Sequence, residues 1–222
     1  MMSRASQMNE RMNNPMNTAA DVLDLAPVVP VVALDDVAHA VPLAEALLRG
    51  GIGTIEVTLR TPAGLPAIER IAAEVPDMVA GAGTITEPGQ AKRAVDAGAR
   101  YLVTPGATDR LLDDLDGVGA PYLAGAATAS EAMRLAERGA TAMKFFPAEP
   151  SGGVAYLKAI AGPLPHLRFC PTGGISPETA PAYLALPNVG CVGGSWLAPK
   201  DVLAAGDWTK VEQLAREAAA LR

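Results

Sequence analysis

A lysine interrupts an apolar run in TAMKFFPAEP, residues Thr141 to Pro150. With the two-residue period of a strand, Thr141, Met143 and Phe145 fall on one face and Ala142, Lys144 and Phe146 on the other. An ammonium in such a strand is penalised by desolvation unless it is paired or gives up its proton, and burial lowers a lysine pKa. The neutral amine is a nucleophile. It attacks a carbonyl to form an iminium, which draws electrons from a neighbouring carbon bond as that bond is made or broken. The alternative use of Lys144 is a structural ion pair across the fold with Glu56.

Glu56 lies in GTIEVTLRT, where Ile55, Val57 and Leu59 alternate with Glu56, Thr58 and Arg60. A carboxylate and a guanidinium therefore share one face of the predicted strand. GAGT, closing on Thr84, and VTPG, closing on Pro105, are weak signals taken singly, since each is an ordinary turn sequence at a strand end. PTGGIS and GGSWL say more as a pair. Gly173, Gly174, Gly193 and Gly194 let backbone amides approach an anion, and Thr172 and Ser195 add hydroxyl donors, so the two segments read together as a phosphate grip. No catalytic metal is expected, because the two histidines, His39 and His166, stand apart and no carboxylate cluster has ligand spacing.

The elements that must position these groups follow from the rest of the chain. From Pro27 onward, short β-branched runs alternate with segments of helical period, the pattern of βα units. Eight strand candidates begin at Val28, Gly53, Asp77, Arg100, Pro121, Thr141, Leu167 and Asn188. Among the helices between them, DDVAHAVPLAEALLRGG has Asp35 or Asp36 to cap it and Gly50 or Gly51 to end it. TEPGQAKRAVDAGA, TASEAMRLAERGA and SPETAPAYLAL each open on Ser or Thr. Eight such units in 222 residues predict an α/β fold of the (β/α)8 TIM-barrel type over residues 21–222, preceded by a flexible polar extension over residues 1–20. Chemistry in such a barrel sits at the carboxyl ends of the strands.

Composition narrows the partners. Half the residues are apolar and 19% charged, as suits a parallel sheet buried on both faces. A net charge of -6 without a basic run argues against nucleic acid or an anionic membrane surface. The longest apolar stretch, Leu25 to Leu34, contains two prolines and falls well short of the ~20 residues that span a bilayer. The first residues lack the apolar core of a signal peptide, and either Met12 or Met16 could serve as the start. Cys170 and Cys191 lie in apolar segments, which suits small buried thiols in a reducing cytoplasm.

Taken in order, EVTLRT, GAGT, VTPG, KFFPAE, RFCPTGGIS and GGSWL resemble the 2-keto-3-deoxy-6-phosphogluconate (KDPG) and 4-hydroxy-2-oxoglutarate (KHG) aldolases, a likeness running from about Pro27 to the C-terminus. The resemblance implies a class I aldolase of the Entner-Doudoroff type that reversibly cleaves KDPG to pyruvate and glyceraldehyde 3-phosphate without a cofactor. It implies that Lys144 forms the Schiff base and Glu56 shuttles protons. By the same likeness Arg60 holds the substrate carboxylate, Thr84, Pro105, Phe146 and Thr172 surround the pyruvyl group, and Gly173, Gly174, Gly194 and Ser195 grip the phosphate. A cytoplasmic homotrimer is implied as well. One departure is Ala124-Gly125, where many relatives have a proline-glycine pair at the end of the fifth strand. Alternatives from the same residues are an aldolase for KHG or for the galactonate epimer, a phosphosugar isomerase that uses no iminium, and a binding protein for phosphorylated metabolites.

Overall fold

A computed structural model describes residues 16–221 of the protein. Its strands are β1 (Val28–Val32), β2 (Thr54–Thr58), β3 (Val79–Gly83), β4 (Tyr101–Val103), β5 (Tyr122–Leu123), β6 (Gly125–Ala126), β7 (Ala142–Phe145), β8 (Arg168–Pro171) and β9 (Val192–Gly194). The helices are α1 (Ala19–Leu23), α2 (Ala40–Arg49), α3 (Gly64–Glu74), α4 (Gln90–Asp96), α5 (Asp109–Val118), α6 (Ala129–Glu137), α7 (Gly153–Ile160), α8 (Ala180–Leu184), α9 (Lys200–Ala205) and α10 (Trp208–Ala219). Every strand pairing is parallel, in the orders β5-β4-β3-β2-β1-β9 and β6-β7-β8, giving a curled parallel sheet with helices in the connections.

Each of the predicted strand segments contains a strand, but the fifth is divided at Ala124. The division has a local cause. Gly125 N–H donates to the buried Thr104 hydroxyl at 3.1 Å instead of to a carbonyl, and a β-carbon on Gly125 would collide with the Pro105 carbonyl. The segment pairs with β4 before this point and with β7 after it.

Strand alternation separates two apolar clusters. Ile55, Val57, Ala80, Ala82, Met143 and Phe145 join the large cluster that the helices cover. Val29, Val79, Tyr101, Leu123, Cys170 and Cys191 form a second one on the opposite, concave face. Both faces are dry, as a parallel sheet requires. The polar side chains Thr54, Glu56, Thr58 and Lys144 are buried on the same concave side, with Thr54 Oγ1 3.0 Å from the Tyr101 hydroxyl.

The amino ends of the strands are covered by α1. Thr18 and Asp21 make a capping box, Val22 and Leu23 join the concave cluster, and Asp24 pairs with Arg168 at the start of β8 at 2.8 Å. The expected boundary between residues 20 and 21 falls inside this helix, and residues 1–15 of the expected extension lie outside the described residues.

Helix starts followed the predicted chemistry in part. Asp36 accepts from Ala38 N–H at 2.8 Å and opens a short 3-10 turn into α2, which ends at Gly50. Thr128 and Glu131 form a capping box on α6. Thr86, by contrast, does not cap α4, which starts four residues later after Pro88 and Gly89; the Gln90 side chain accepts from Thr86 N–H at 2.8 Å instead. Ser176 likewise lies outside α8 and donates its N–H to Thr179 Oγ1 at 3.0 Å. Among the described residues no helix is long and apolar enough to cross a membrane.

Candidate active site

Lys144 and Glu56 meet across the concave face although they are 88 positions apart in the chain. Lys144 Nζ lies 3.2 Å from Glu56 Oε1 and 3.5 Å from Oε2, with side chains 5% and 4% exposed. A pair held this far from water is screened much less than an exposed one, and a proton placed between the partners can move without crossing solvent. The residues in register beside Lys144 are Gly125 and Cys170, both small, so the amine is not crowded from its neighbours on the sheet. On its other side Nζ stands 5.4 Å from the centre of the Phe146 ring, within cation–π range.

Gly83 explains where the carboxylate lies. A β-carbon at that position would collide with Glu56 Oε1, so the end of β3 has to be glycine for Glu56 to lean over it. In the sequence, GAGT taken singly reads as an ordinary turn at the end of a strand. The run of small residues in Val79–Gly83 was the clue available.

Arg60 departs from the expected arrangement. The strand ends at Thr58, and Arg60 is exposed in the loop that follows rather than on the strand. Its Nε donates to Thr84 Oγ1 at 3.0 Å. Thr84 has φ +60, the left-handed region, and among the described residues it is the non-glycine residue found there. Such a conformation costs on the order of 1–3 kcal/mol and persists where surrounding bonds impose it. Here Leu59 N–H to Gly83 C=O at 2.8 Å and Ile85 N–H to Val103 C=O at 3.2 Å hold the chain on both sides of it.

Thr172 is buried at the end of β8, against Gly193. Its N–H donates to Phe145 C=O at 2.9 Å, which ties this loop to the strand that carries Lys144. The bridge Thr172↔Gly193 sets the two glycine-rich endings side by side at the carboxyl ends of β8 and β9. Gly173 and Gly174 have φ +104 and +83, Gly174 and Ser195 are exposed, and Gly194 is buried against the Trp196 ring. Pro105 is half-buried beside Gly125, hence next to the strand position that pairs with Lys144. Trp208 begins α10 and meets His39 edge-on with ring centres 5.4 Å apart.

Beneath the ion pair lie groups that sequence reasoning did not single out. The buried Thr54–Tyr101 hydroxyl pair forms the floor, and burial holds the Tyr101 phenol well above the ordinary tyrosine range, so it remains a neutral donor. Cys170 and Cys191, expected as small buried thiols, lie buried and without a disulfide in the same cluster. Among the described residues no three His, Cys, Asp or Glu side chains cluster as a metal site. The arrangement is that of a buried amine beside a carboxylate, with a guanidinium on one rim and a glycine-rich rim on another.

The chain is similar to known proteins in both sequence and fold. The family model described as KDPG and KHG aldolase matches residues 19–214. The chain is 52% identical over 203 residues to the 2-dehydro-3-deoxy-phosphogluconate aldolase of Pseudoalteromonas atlantica, covering 91% of this chain and 94% of that protein. Among solved structures, the KDPG aldolase of Legionella pneumophila with pyruvate captured at low pH as a covalent carbinolamine intermediate is similar with a TM-score of 0.89 and 42% identity, over 91% of this chain and 98% of that one. The 2-keto-3-deoxy-6-phosphogluconate aldolase of Zymomonas mobilis ZM4 with 3-phosphoglycerate follows at 0.87 and 44%, over 93% and 97%.

Proposed function

Because this chain belongs to the KDPG and KHG aldolase family, we propose that it is a class I aldolase that reversibly cleaves KDPG to pyruvate and glyceraldehyde 3-phosphate through a Schiff base on Lys144. The observation that carries the reading is the buried contact of Lys144 Nζ with Glu56 at 3.2 Å. A purely structural ion pair would need neither an uncrowded amine nor a strained Thr84 holding Arg60 at the rim.

In the cleavage direction the Lys144 amine, having passed its proton to Glu56, adds to the C2 keto carbon of the substrate. The resulting carbinolamine takes a proton on its oxygen and loses water to leave the iminium. Removal of the C4 hydroxyl proton then breaks the C3–C4 bond. The aldehyde departs, and the electron pair moves into the iminium to give an enamine. Protonation at C3 and addition of water release pyruvate and restore the amine. Glu56 accepts and returns the protons, directly or through water, because it is the carboxylate within hydrogen-bond reach of Nζ. Arg60 would hold the substrate carboxylate, with Thr84, Pro105, Phe146 and Thr172 around the pyruvyl group and Gly173, Gly174, Gly194 and Ser195 at the phosphate. The carbinolamine in the Legionella relative and the 3-phosphoglycerate in the Zymomonas relative support these two halves of the reading.

The same proposal extends to the rest of the molecule. The curled sheet is read as a closed (β/α)8 barrel with β5 and β6 as one interrupted strand, supported by the bridges Phe169↔Val189 and Thr172↔Gly193 along β8 and β9. The catalytic unit is assigned to residues 21–222, and a cytoplasmic homotrimer is the expected assembly. A second reading, KHG as substrate, is favoured by the family description, which spans both compounds, and uses the same lysine without the phosphate grip.

Mixing the protein with pyruvate and borohydride, followed by mass spectrometry, tests the iminium. A stable adduct mapped to Lys144 is expected. Folded protein that gives no adduct would return Lys144 to a structural role. Cleavage rates on KDPG, its galactonate epimer and KHG then decide the substrate.

A further inference from the structure

We propose that Glu149 and Tyr183 act as a strut that holds the Gly173–Gly174 turn in its phosphate-accepting shape, making both of them positioning residues for the phosphorylated end of the substrate; this rests on the phosphate reading given above. Neither residue belongs to the machinery already described. Tyr183, on α8, is fully buried, and its hydroxyl donates to Glu149 Oε1 at 2.6 Å. Burial, with the Glu149 carboxylate beside it, raises the phenol above the ordinary tyrosine range, so it stays a donor at every physiological pH.

Glu149 touches the turn in two ways. Its main-chain N–H donates to Gly173 C=O at 3.0 Å, directly after Ala148 N–H has donated to Thr172 C=O at 2.8 Å. Its side-chain stem lies against Gly174, where a β-carbon would come within 2.7 Å of Glu149 Cβ. Two successive glycines with positive φ have wide conformational freedom and cannot select this shape by themselves. The hydrogen bond to buried Tyr183 anchors the stem that rests on them. Room for that bond is made by Gly153, since a β-carbon there would stand 2.9 Å from the Tyr183 hydroxyl oxygen.

Releasing the Glu149 side chain from Tyr183 would loosen the turn it rests on.

The test compares steady-state cleavage of KDPG with that of KHG, which carries no phosphate. For Tyr183→Phe, the loss of one hydrogen bond to a charged group predicts a rise of about tenfold in KM for KDPG, with kcat little changed and both constants for KHG near the native values. Glu149→Ala should act in the same direction, and the double variant should be no worse than the more affected single one, since both remove one interaction. Glu149 is exposed, so this variant keeps the test open should Tyr183→Phe fail to fold. Equal losses on both substrates, or unchanged KM for KDPG in both variants, would overturn the proposal. Failure of the underlying phosphate reading is visible earlier and separately, as native protein that neither prefers KDPG over KHG nor is inhibited by inorganic phosphate.

Discussion

The Glu56 carboxylate occupies the space that a β-carbon on Gly83 would need. The acid facing Lys144 thus owes its position to a missing side chain on the neighbouring strand, which pairs with β2 over Thr54–Thr58. Replacing Gly83 with Ala should push the carboxylate away from Nζ while leaving Lys144 itself intact. Loss of a positioned acid–base group predicts a fall in kcat of about a hundredfold or more, and overpacking a stability loss of about 1–3 kcal/mol. Steady-state kinetics with urea unfolding reads both. Native kcat would show that Glu56 does not need its present place.

Glu56→Gln keeps the shape and removes the proton carrier. It should lower kcat by a factor on the order of 100 to 10,000 and slow the trapping of pyruvate, yet an adduct should still accumulate on Lys144. Lys144→Ala should give no adduct and no turnover. It should also destabilise the fold, by about 3–5 kcal/mol if Glu56 stays ionised, because a buried carboxylate loses its partner. Lys144→Ala protein that kept substantial Schiff-base activity would sink the assignment.

Arg60 reaches the rim with its Nε fixed by Thr84. Arg60→Ala should raise KM for pyruvyl substrates by about 10–100-fold, the worth of a charged hydrogen bond. Arg60→Lys should recover little of this, because a point-charge ammonium cannot both bond Thr84 and grip a carboxylate in a plane. Full rescue by lysine would mean that only charge matters at this position.

Helix α1 closes the amino end of the sheet through Leu23, which is fully buried. Leu23→Ala should cost about 2–5 kcal/mol in chemical unfolding. The adduct on Lys144 should still form under native conditions, since α1 lies at the end of the strands away from the chemistry. A variant as stable as the native protein would contradict the packing described.

Acid should weaken the cap of α6. Main-chain donors at Ala127 and Thr128, together with the Thr128 hydroxyl, hold the Glu131 carboxyl below its ordinary range. A depressed folded-state pKa contributes stability above the unfolded value and loses it as pH falls through the folded one. Glu131→Ala should therefore be less stable than the native protein at neutral pH and nearly equal to it in strong acid. Thr128→Ala should cost about 1 kcal/mol at neutral pH. Urea midpoints at several pH values measure the difference, and a gap that persisted unchanged into strong acid would refute the sign.

Local rules of chain periodicity and capping sufficed for the strand faces and for some helix starts. Period-two alternation placed Lys144 opposite Met143 and Phe145, and Glu56 opposite Ile55 and Val57, and the described strands keep those faces. Capping chemistry located the start of α6 at Thr128 but misplaced that of α4, where Pro88 and Gly89 delay the helix and Gln90 takes over the bonding. Tertiary structure decided everything that depends on which strand ends lie near one another. It stopped β2 before Arg60 and turned that side chain to Thr84, divided the fifth strand where the Thr104 hydroxyl takes Gly125 N–H, and brought α1 under the sheet. It also set Lys144 Nζ 3.2 Å from Glu56. The reason is physical: periodicity and caps arise within a few residues of chain, whereas the distance between an amine and a carboxylate 88 positions apart depends on strand register and on close approaches such as the one Gly83 permits.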